Sequence, residues 1–269
     1  MTYINKHTPG SFCWIELGTT DQEAAKNFYS SLFGWAVNDV LVAPNDLYSM
    51  FQLEGRDVGA AYTLRPEQRA HGAQPHWMVY VAVESADDAA RKAAELGGKV
   101  LTNPFDVSDV GRMAVIEDPT GAVFSVWQPG KHIGIRIAGV EGAFCWADLS
   151  TPDPAQARQF YSSLFGWEIA AKEQGLSGYL HIANEQVPIG GIAPSEHRDP
   201  AVPPHWLIYF AVQDCNAVTA KAEHLTAKIS MPPTTLENVG SVAVLADPEG
   251  AAFALYQPAP QVTNGAAGK

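Results

Sequence analysis

One stretch of this sequence is written twice. Residues 10–37 read GSFCWIELGTTDQEAAKNFYSSLFGWAV and residues 142–169 read GAFCWADLSTPDPAQARQFYSSLFGWEI. In each copy an alternating strand leads into a capped amphipathic helix, and a Gly-Trp exit leads into a further strand. Later pairs follow in the same order: His76-Trp77 with His205-Trp206, Asp118-Pro119-Thr120-Gly121 with Asp247-Pro248-Glu249-Gly250, and Gln128-Pro129 with Gln257-Pro258. A period this long means duplicated domains, not a solenoid, and 269 residues suffice for about two of them. The boundaries read as 1–133 and 134–260, joined by a linker at about Pro129–Gly142. Residues 261–269, small and polar, read as a disordered tail.

Within the first copy, Cys13, Ile15 and Leu17 alternate with Trp14 and Glu16, as a half-buried strand requires. Asp21 is placed to cap the free amides of a helix carrying Ala25, Phe28, Tyr29, Leu32 and Phe33, and Gly34 suits its left-handed exit. The second copy caps with Asp153, adds Pro154 at the first helical position, and ends at Gly166. Strands are expected at about Tyr48–Gln52 and Val58–Leu64, then a polar loop to Pro75. A weaker strand–helix unit follows (His76–Val83, Asp87–Leu96), then strands at Met113–Ile116 and Ala122–Trp127. Each half is thus βαβββ twice over, an α+β chain of four modules.

A net charge of −12 and a pI near 5.0 argue against nucleic acid or an anionic membrane as partner. No apolar run approaches the ~20 residues of a bilayer crossing, and MTYINKHTPG lacks a signal-type apolar core. Three cysteines without metal-type spacing suit a reducing compartment, so a cytoplasmic protein is expected. Cys13 and Cys145 stand at matching positions and read as small buried apolar groups.

Four βαβββ modules, the phrase D-x-x-x-A-x-x-F-Y-x-x-L-F-G-W and a D-P-x-G turn before the last strand resemble the vicinal oxygen chelate superfamily. That group holds glyoxalase I, bleomycin- and fosfomycin-resistance proteins and extradiol dioxygenases. The resemblance spans about Gly10–Pro258. It is closer still to a two-domain, glyoxalase-like or hydroxylase-labelled subgroup carrying F-C-W-x-[DE]-L, P-H-W and W-Q-P, which includes a mycobacterial culture-filtrate antigen. It implies two tandem domains, each a cup-shaped half-barrel around a small-molecule cavity, commonly with a divalent metal.

Carried over residue by residue, the metal positions of that family fall on Trp14, Met78 and Ser125 in one half and on Trp146, Leu207 and Ala254 in the other. The remaining position lies in Val58–Leu64 and Val187–Ala193, where no His, Asp, Glu or Cys occurs. Indole, thioether and aliphatic groups offer a hard or borderline cation almost nothing. No metal or other cofactor is expected. A non-standard site from His181, His205 and Asp148 stays open.

Alternation assigns Trp14, Glu16, His76, Met78, Tyr80, Val123, Ser125 and Trp127 to the first cup. It assigns Trp146, Asp148, His205, Leu207, Tyr209, Ala252, Ala254 and Tyr256 to the second. Such a lining suits a flat, apolar or aromatic molecule; it would also serve as a filled core. Glu16 and Asp148 are inward carboxylates that need a partner, Tyr80 or His76 and Tyr209 or His205. Each could act as general base or as structural acceptor. Arg112, whose counterpart is Ser241, could anchor an anion. The first reading is a metal-free protein binding a small molecule as a monomer or homodimer. Alternatives are a metal-independent lyase, isomerase or hydroxylase-type enzyme using Glu16 or Asp148, a metal-dependent glyoxalase or dioxygenase on non-standard ligands, and a surface-acting protein with solid cups.

Overall fold

In a computed structural model of the chain, the described residues are 3–44, 46–172 and 177–260, apart from the side chain of His197. The first half runs β1 (Phe12–Thr19), α1 (Gln22–Phe33), β2 (Ala36–Ala43), β3 (Asp46–Leu53), β4 (Arg56–Thr63), α2 (Pro66–Ala70), β5 (His76–Ala82), α3 (Ala86–Glu95), β6 (Lys99–Val107), β7 (Gly111–Glu117) and β8 (Val123–Pro129). The second runs β9 (Phe144–Ser150), α4 (Pro154–Phe165), β10 (Glu168–Ala170), β11 (Leu180–Asn184), β12 (Val187–Ile192), β13 (His205–Ala211), α5 (Cys215–His224), β14 (Lys228–Leu236), β15 (Gly240–Ala246) and β16 (Ala252–Pro258).

Each half forms one eight-stranded mixed sheet, in the orders β2-β3-β4-β1-β5-β8-β7-β6 and β10-β11-β12-β9-β13-β16-β15-β14. The two modules of a half meet along β1–β5 and β9–β13, which pair antiparallel, so two tandem domains of α+β type result. The caps form as the residues dictate. Asp21 Oδ1 accepts from the Ala24 amide and Asp153 Oδ1 from that of Gln156, both at 2.9 Å. Gly34 and Gly166 take left-handed φ of 75° and 76°. The polar stretch before Pro75 holds a short helix, α2, started by Pro66 and by Gln68 Oε1 accepting from the Arg65 amide at 2.8 Å.

Helices α1 and α4 cover more than their own sheets. Tyr29 of α1 lies 5.3 Å from Trp77 and 5.7 Å from Phe253, so one ring touches both halves. Its hydroxyl donates to Asp247 Oδ2 (3.1 Å) and accepts from Trp77 Nε1 (2.9 Å). The mirror set is Tyr161 to Asp118 Oδ2 (2.9 Å), with Trp206 Nε1 donating to Tyr161 (3.1 Å). Asp118 and Asp247 also close their own turns, accepting from the Ala122 and Ala251 amides. Trp35 and Trp167 donate across to the carbonyls of Gly142 and Gly10, both at 2.8 Å. The F-Y-x-x-L-F-G-W and D-P-x-G phrases therefore build the contact between the halves. All these polar atoms are buried and paired, as a buried interface demands.

The linker is not a loose connection. Ile135 and Ile137 are buried, and the Ile135 amide donates to Cys13 O at 2.7 Å. The N-terminal arm lies along it, with the Ile4 amide donating to Arg136 O (3.0 Å) and a β-bridge from Tyr3 to Ile137.

Candidate functional site: two aromatic cups around buried carboxylates

In the first sheet Trp14 pairs with Tyr80, Tyr80 with Ser125, and Glu16 with both Met78 and Ala60. These registers centre Glu16 on the cup face. Its Oε2 accepts from Tyr80 and its Oε1 from Tyr48, both at 2.7 Å, and Tyr48 accepts from Trp14 Nε1 at 2.9 Å. Burial pushes the Glu16 carboxyl above the usual carboxylate range. The two phenols, and the charge field of His76, pull partly back. Burial and the Glu16 charge together raise both phenols.

The second cup repeats the device with a shorter acid. Asp148 Oδ2 accepts from Tyr209 (2.8 Å), and Oδ1 accepts from Tyr179 (2.5 Å) and Trp146 Nε1 (2.9 Å), which also reaches the Tyr179 hydroxyl at 2.9 Å. Burial again raises the carboxyl, against the three donors. Aspartate is one methylene shorter than glutamate, so Tyr179 must come closer to the sheet than Tyr48 does. The residue beneath it shows this. A Cβ at Gly191 would stand 1.9 Å from the Tyr179 hydroxyl oxygen, whereas the counterpart in the first cup is Ala60. The pairs Glu16/Ala60 and Asp148/Gly191 are two solutions to one packing problem.

Other expected site residues divide. Met78 and Leu207 are half-buried in the strands beside the carboxylates; Ser125 and Ala254 are fully buried, and the Ser125 hydroxyl has no partner among the described residues. Trp127 Nε1 donates to His132 O (2.9 Å) and the Tyr256 hydroxyl to Val239 O (2.9 Å). His76 and His205 are not the carboxylates' hydrogen-bond partners. At the strand starts their Nδ1 atoms bond to Gln74 O (2.8 Å) and Pro203 O (2.9 Å). Arg112 is no free anion anchor, because Asp87 (2.7 and 2.9 Å) and Asp106 (2.9 Å) already neutralise its guanidinium. Ala252, at the start of β16, is exposed. Cys13 is fully buried, but Cys145 is half-buried; both sit where β1 and β9 shift register.

Tyr48, Tyr179, Gly191 and His132 escape a strand-by-strand reading. Tyr48 and Tyr179 stand at matching positions in the two halves, two residues before Met50 and His181. That match was the available signal. His181 itself packs against the Tyr179 ring at 4.9 Å, with a buried Nδ1 lacking a partner among the described residues.

The cups differ in access. In the first, Trp14, Tyr80 and Trp127 are at most 7% exposed, while their counterparts in the second, Trp146, Tyr209 and Tyr256, all keep partial exposure. The cause is the linker. The His132 ring stands perpendicular to Trp14 at 4.6 Å and lies 6.1 Å from Trp127, closing the first cup. No described residue does this in the second. Two shallow clefts, ≈ 130 Å³ beside Pro119 and Phe160 and ≈ 160 Å³ at the β14–β15 turn, are lined by no cup residue.

The side chains at the family's metal positions do not suit a cation. The β4 and β12 positions facing the carboxylates are Ala60 and Gly191, beside Trp14, Met78 and Ser125 or Trp146, Leu207 and Ala254. Among the described residues no three His, Cys, Asp or Glu side chains converge as a metal site, so His181, His205 and Asp148 do not form one.

Paired βαβββ modules with a cup on the face away from the helices define a glyoxalase-type fold. The chain belongs to the Glyoxalase/Bleomycin resistance protein/Dioxygenase superfamily, whose pattern matches residues 11–126 and 143–255. It is 39% identical over 263 residues to the protein named "Putative glyoxylase CFP32" of Mycobacterium bovis (strain ATCC BAA-935 / AF2122/97), covering 96% of this chain and 98% of that one. It is 33% identical over 268 residues to "Anthracycline biosynthesis protein DnrV" of Streptomyces peucetius, covering 94% and 95%. Among solved structures, the Mn(II)-bound glyoxalase from Novosphingobium aromaticivorans shares the fold, with a TM-score of 0.62 at 15% identity over 94% of this chain and 89% of that one. No helix among the described residues is long and apolar enough to cross a membrane.

Proposed function

We propose that the chain binds a small, flat, largely apolar or aromatic molecule in the cup of its second domain, without a metal ion. One observation carries this reading: Trp14, Tyr80 and Trp127 are buried in the first half, whereas the equivalent Trp146, Tyr209 and Tyr256 are partly exposed in the second. An accessible indole and two phenols around one polar group are the usual lining of a site for a planar ligand. The similarity to a protein named for anthracycline biosynthesis supports a fused-ring aromatic as the ligand class.

Asp148 in this reading orients the walls. Its two oxygens already accept three hydrogen bonds, so it fixes Trp146, Tyr179 and Tyr209 in position before a ligand arrives. A second reading makes Asp148 a proton acceptor, favoured by its raised pKa. It then has to give up a tyrosine bond to reach the substrate.

The test is tryptophan fluorescence titrated with a panel of planar aromatics. Quenching should saturate in the wild type and in Trp14→Phe, and should fall sharply in Trp146→Phe. A panel in which nothing binds, or in which Trp14→Phe removes the signal, refutes the proposal. Turnover abolished in Asp148→Asn with binding intact would establish the second reading.

A further inference from the structure

The segment that shuts the first cup has the form of an occupant. His132 brings a flat five-membered ring perpendicular to Trp14 at 4.6 Å and near Trp127 at 6.1 Å. Its carbonyl takes the Trp127 indole hydrogen at 2.9 Å. Its Nε2 is buried without a hydrogen-bond partner among the described residues, 3.9 Å from Asp57. Two residues on, Gly134 takes φ +104°, and a Cβ there would lie 2.0 Å from Cys13 O, so only glycine lets the linker pass this close to the β1 backbone. The Ile135 amide donates to Cys13 O (2.7 Å), and His7 Nε2 and Ile135 O lie 2.8 Å apart. A connection needing only to span two domains has no use for this series of fits.

We propose that residues 130–137 are a built-in occupant of the first cup, with the His132 imidazole standing where a free planar ring would sit. The ligand class that replaces it is a small, neutral, planar nitrogen heterocycle of azole size. The walls offer it aromatic faces and edges, and Asp57, the carboxylate 3.9 Å from the imidazole, is already engaged by Gln52 at 2.9 Å. For the second cup, on the reading proposed above, the same template specifies a planar ring standing across the Trp146 face.

The experiment is cavity creation with ring rescue on the full chain at pH 8, using imidazole and pyrazole. His132→Gly should lower Tm by roughly 5–10 °C. Either azole should restore at least half of that loss, with half-saturation on the order of 1–10 mM for so small a ring. The wild type, its cup occupied, should gain under a degree. His132→Leu, which refills the space, should respond as little. If the glycine variant does not fold, His132→Ala is titrated instead, and azole-dependent recovery of folded protein counts in favour. A folded variant indifferent to both azoles, a wild type that gains as much, or variants that stay unfolded in azole would overturn the proposal. None of these readouts depends on the second cup, so failure here and failure of the proposed function remain distinguishable.

Discussion

Gly191→Ala tests the packing of the second cup with a single methyl group. The added Cβ would lie 1.9 Å from the Tyr179 hydroxyl oxygen and 2.1 Å from Cζ. Ordinary contact is about 3.4–4 Å, so the phenol must retreat by roughly 1.5 Å. The 2.5 Å bond to Asp148 cannot survive that movement. Hydrogen bonds to charged groups contribute about 1.5–3 kcal/mol, and Tyr179 is only partly buried, so it can swing outward and relieve the overlap. We expect a loss of about 2–3 kcal/mol, or roughly 5–10 °C in Tm, measured by thermal unfolding followed by circular dichroism. Asp148→Glu in the same background recreates the Glu16/Ala60 arrangement and should recover more than half of the loss. The mirror substitution, Ala60→Gly, meets no overlap and should cost about 1 kcal/mol or less. A Gly191→Ala variant melting within one degree of wild type, or a double variant weaker than the single one, would refute the reasoning.

Three further outcomes follow from the same geometry. Glu16→Gln should stabilise the protein at pH 8: the raised carboxyl contributes stability below its unfolded pKa that is lost as pH rises through the folded one, so the gain should shrink as pH falls into the ordinary carboxylate range, read from Tm at several pH values. Burial lowers the pKa of His7 and His132, so their contribution is present above about 6.5 and is lost as pH falls through their folded values; denaturant midpoints at pH 7.5 and 5.5 should differ less in a His7→Gln/His132→Gln variant than in the wild type. Tyr29→Phe leaves the Trp77 indole hydrogen and Asp247 Oδ2 without their bond and should cost about 2–4 kcal/mol, with a non-additive double-mutant cycle against Asp247→Asn.

The repeated strand–helix unit was legible because its signals are local. Alternation in Phe12–Leu17, Asp21 as cap and Gly34 as exit each rest on a few neighbouring residues, and all three stand in the structure. The role of Tyr29 was legible only in part. Its helical spacing marks a buried face, but no single half reveals that the ring is shared with Phe253 of the other. The carboxylates at 16 and 148 were visible as inward charges needing partners. Their second phenols were not, because Tyr48 and Tyr179 reach them across a strand order in which β4 and β12 lie between. The closing of the first cup was least visible. Residues 130–138 have neither strand nor helix periodicity, and His132 is held between close backbone approaches at Gly130 and Gly134, its own amide donating to Val110 O at 3.0 Å.

The central claim is that the second cup receives the ligand and that its protein side chains alone hold it. A crystal structure of the complex with the tightest-binding aromatic from the fluorescence panel tests this most directly. The account predicts a planar ring packed against Trp146 and the Tyr179–Tyr209 pair, with the first cup still filled by His132. A ligand lying in the first cup, or held through a metal ion coordinated by cup residues, would contradict it.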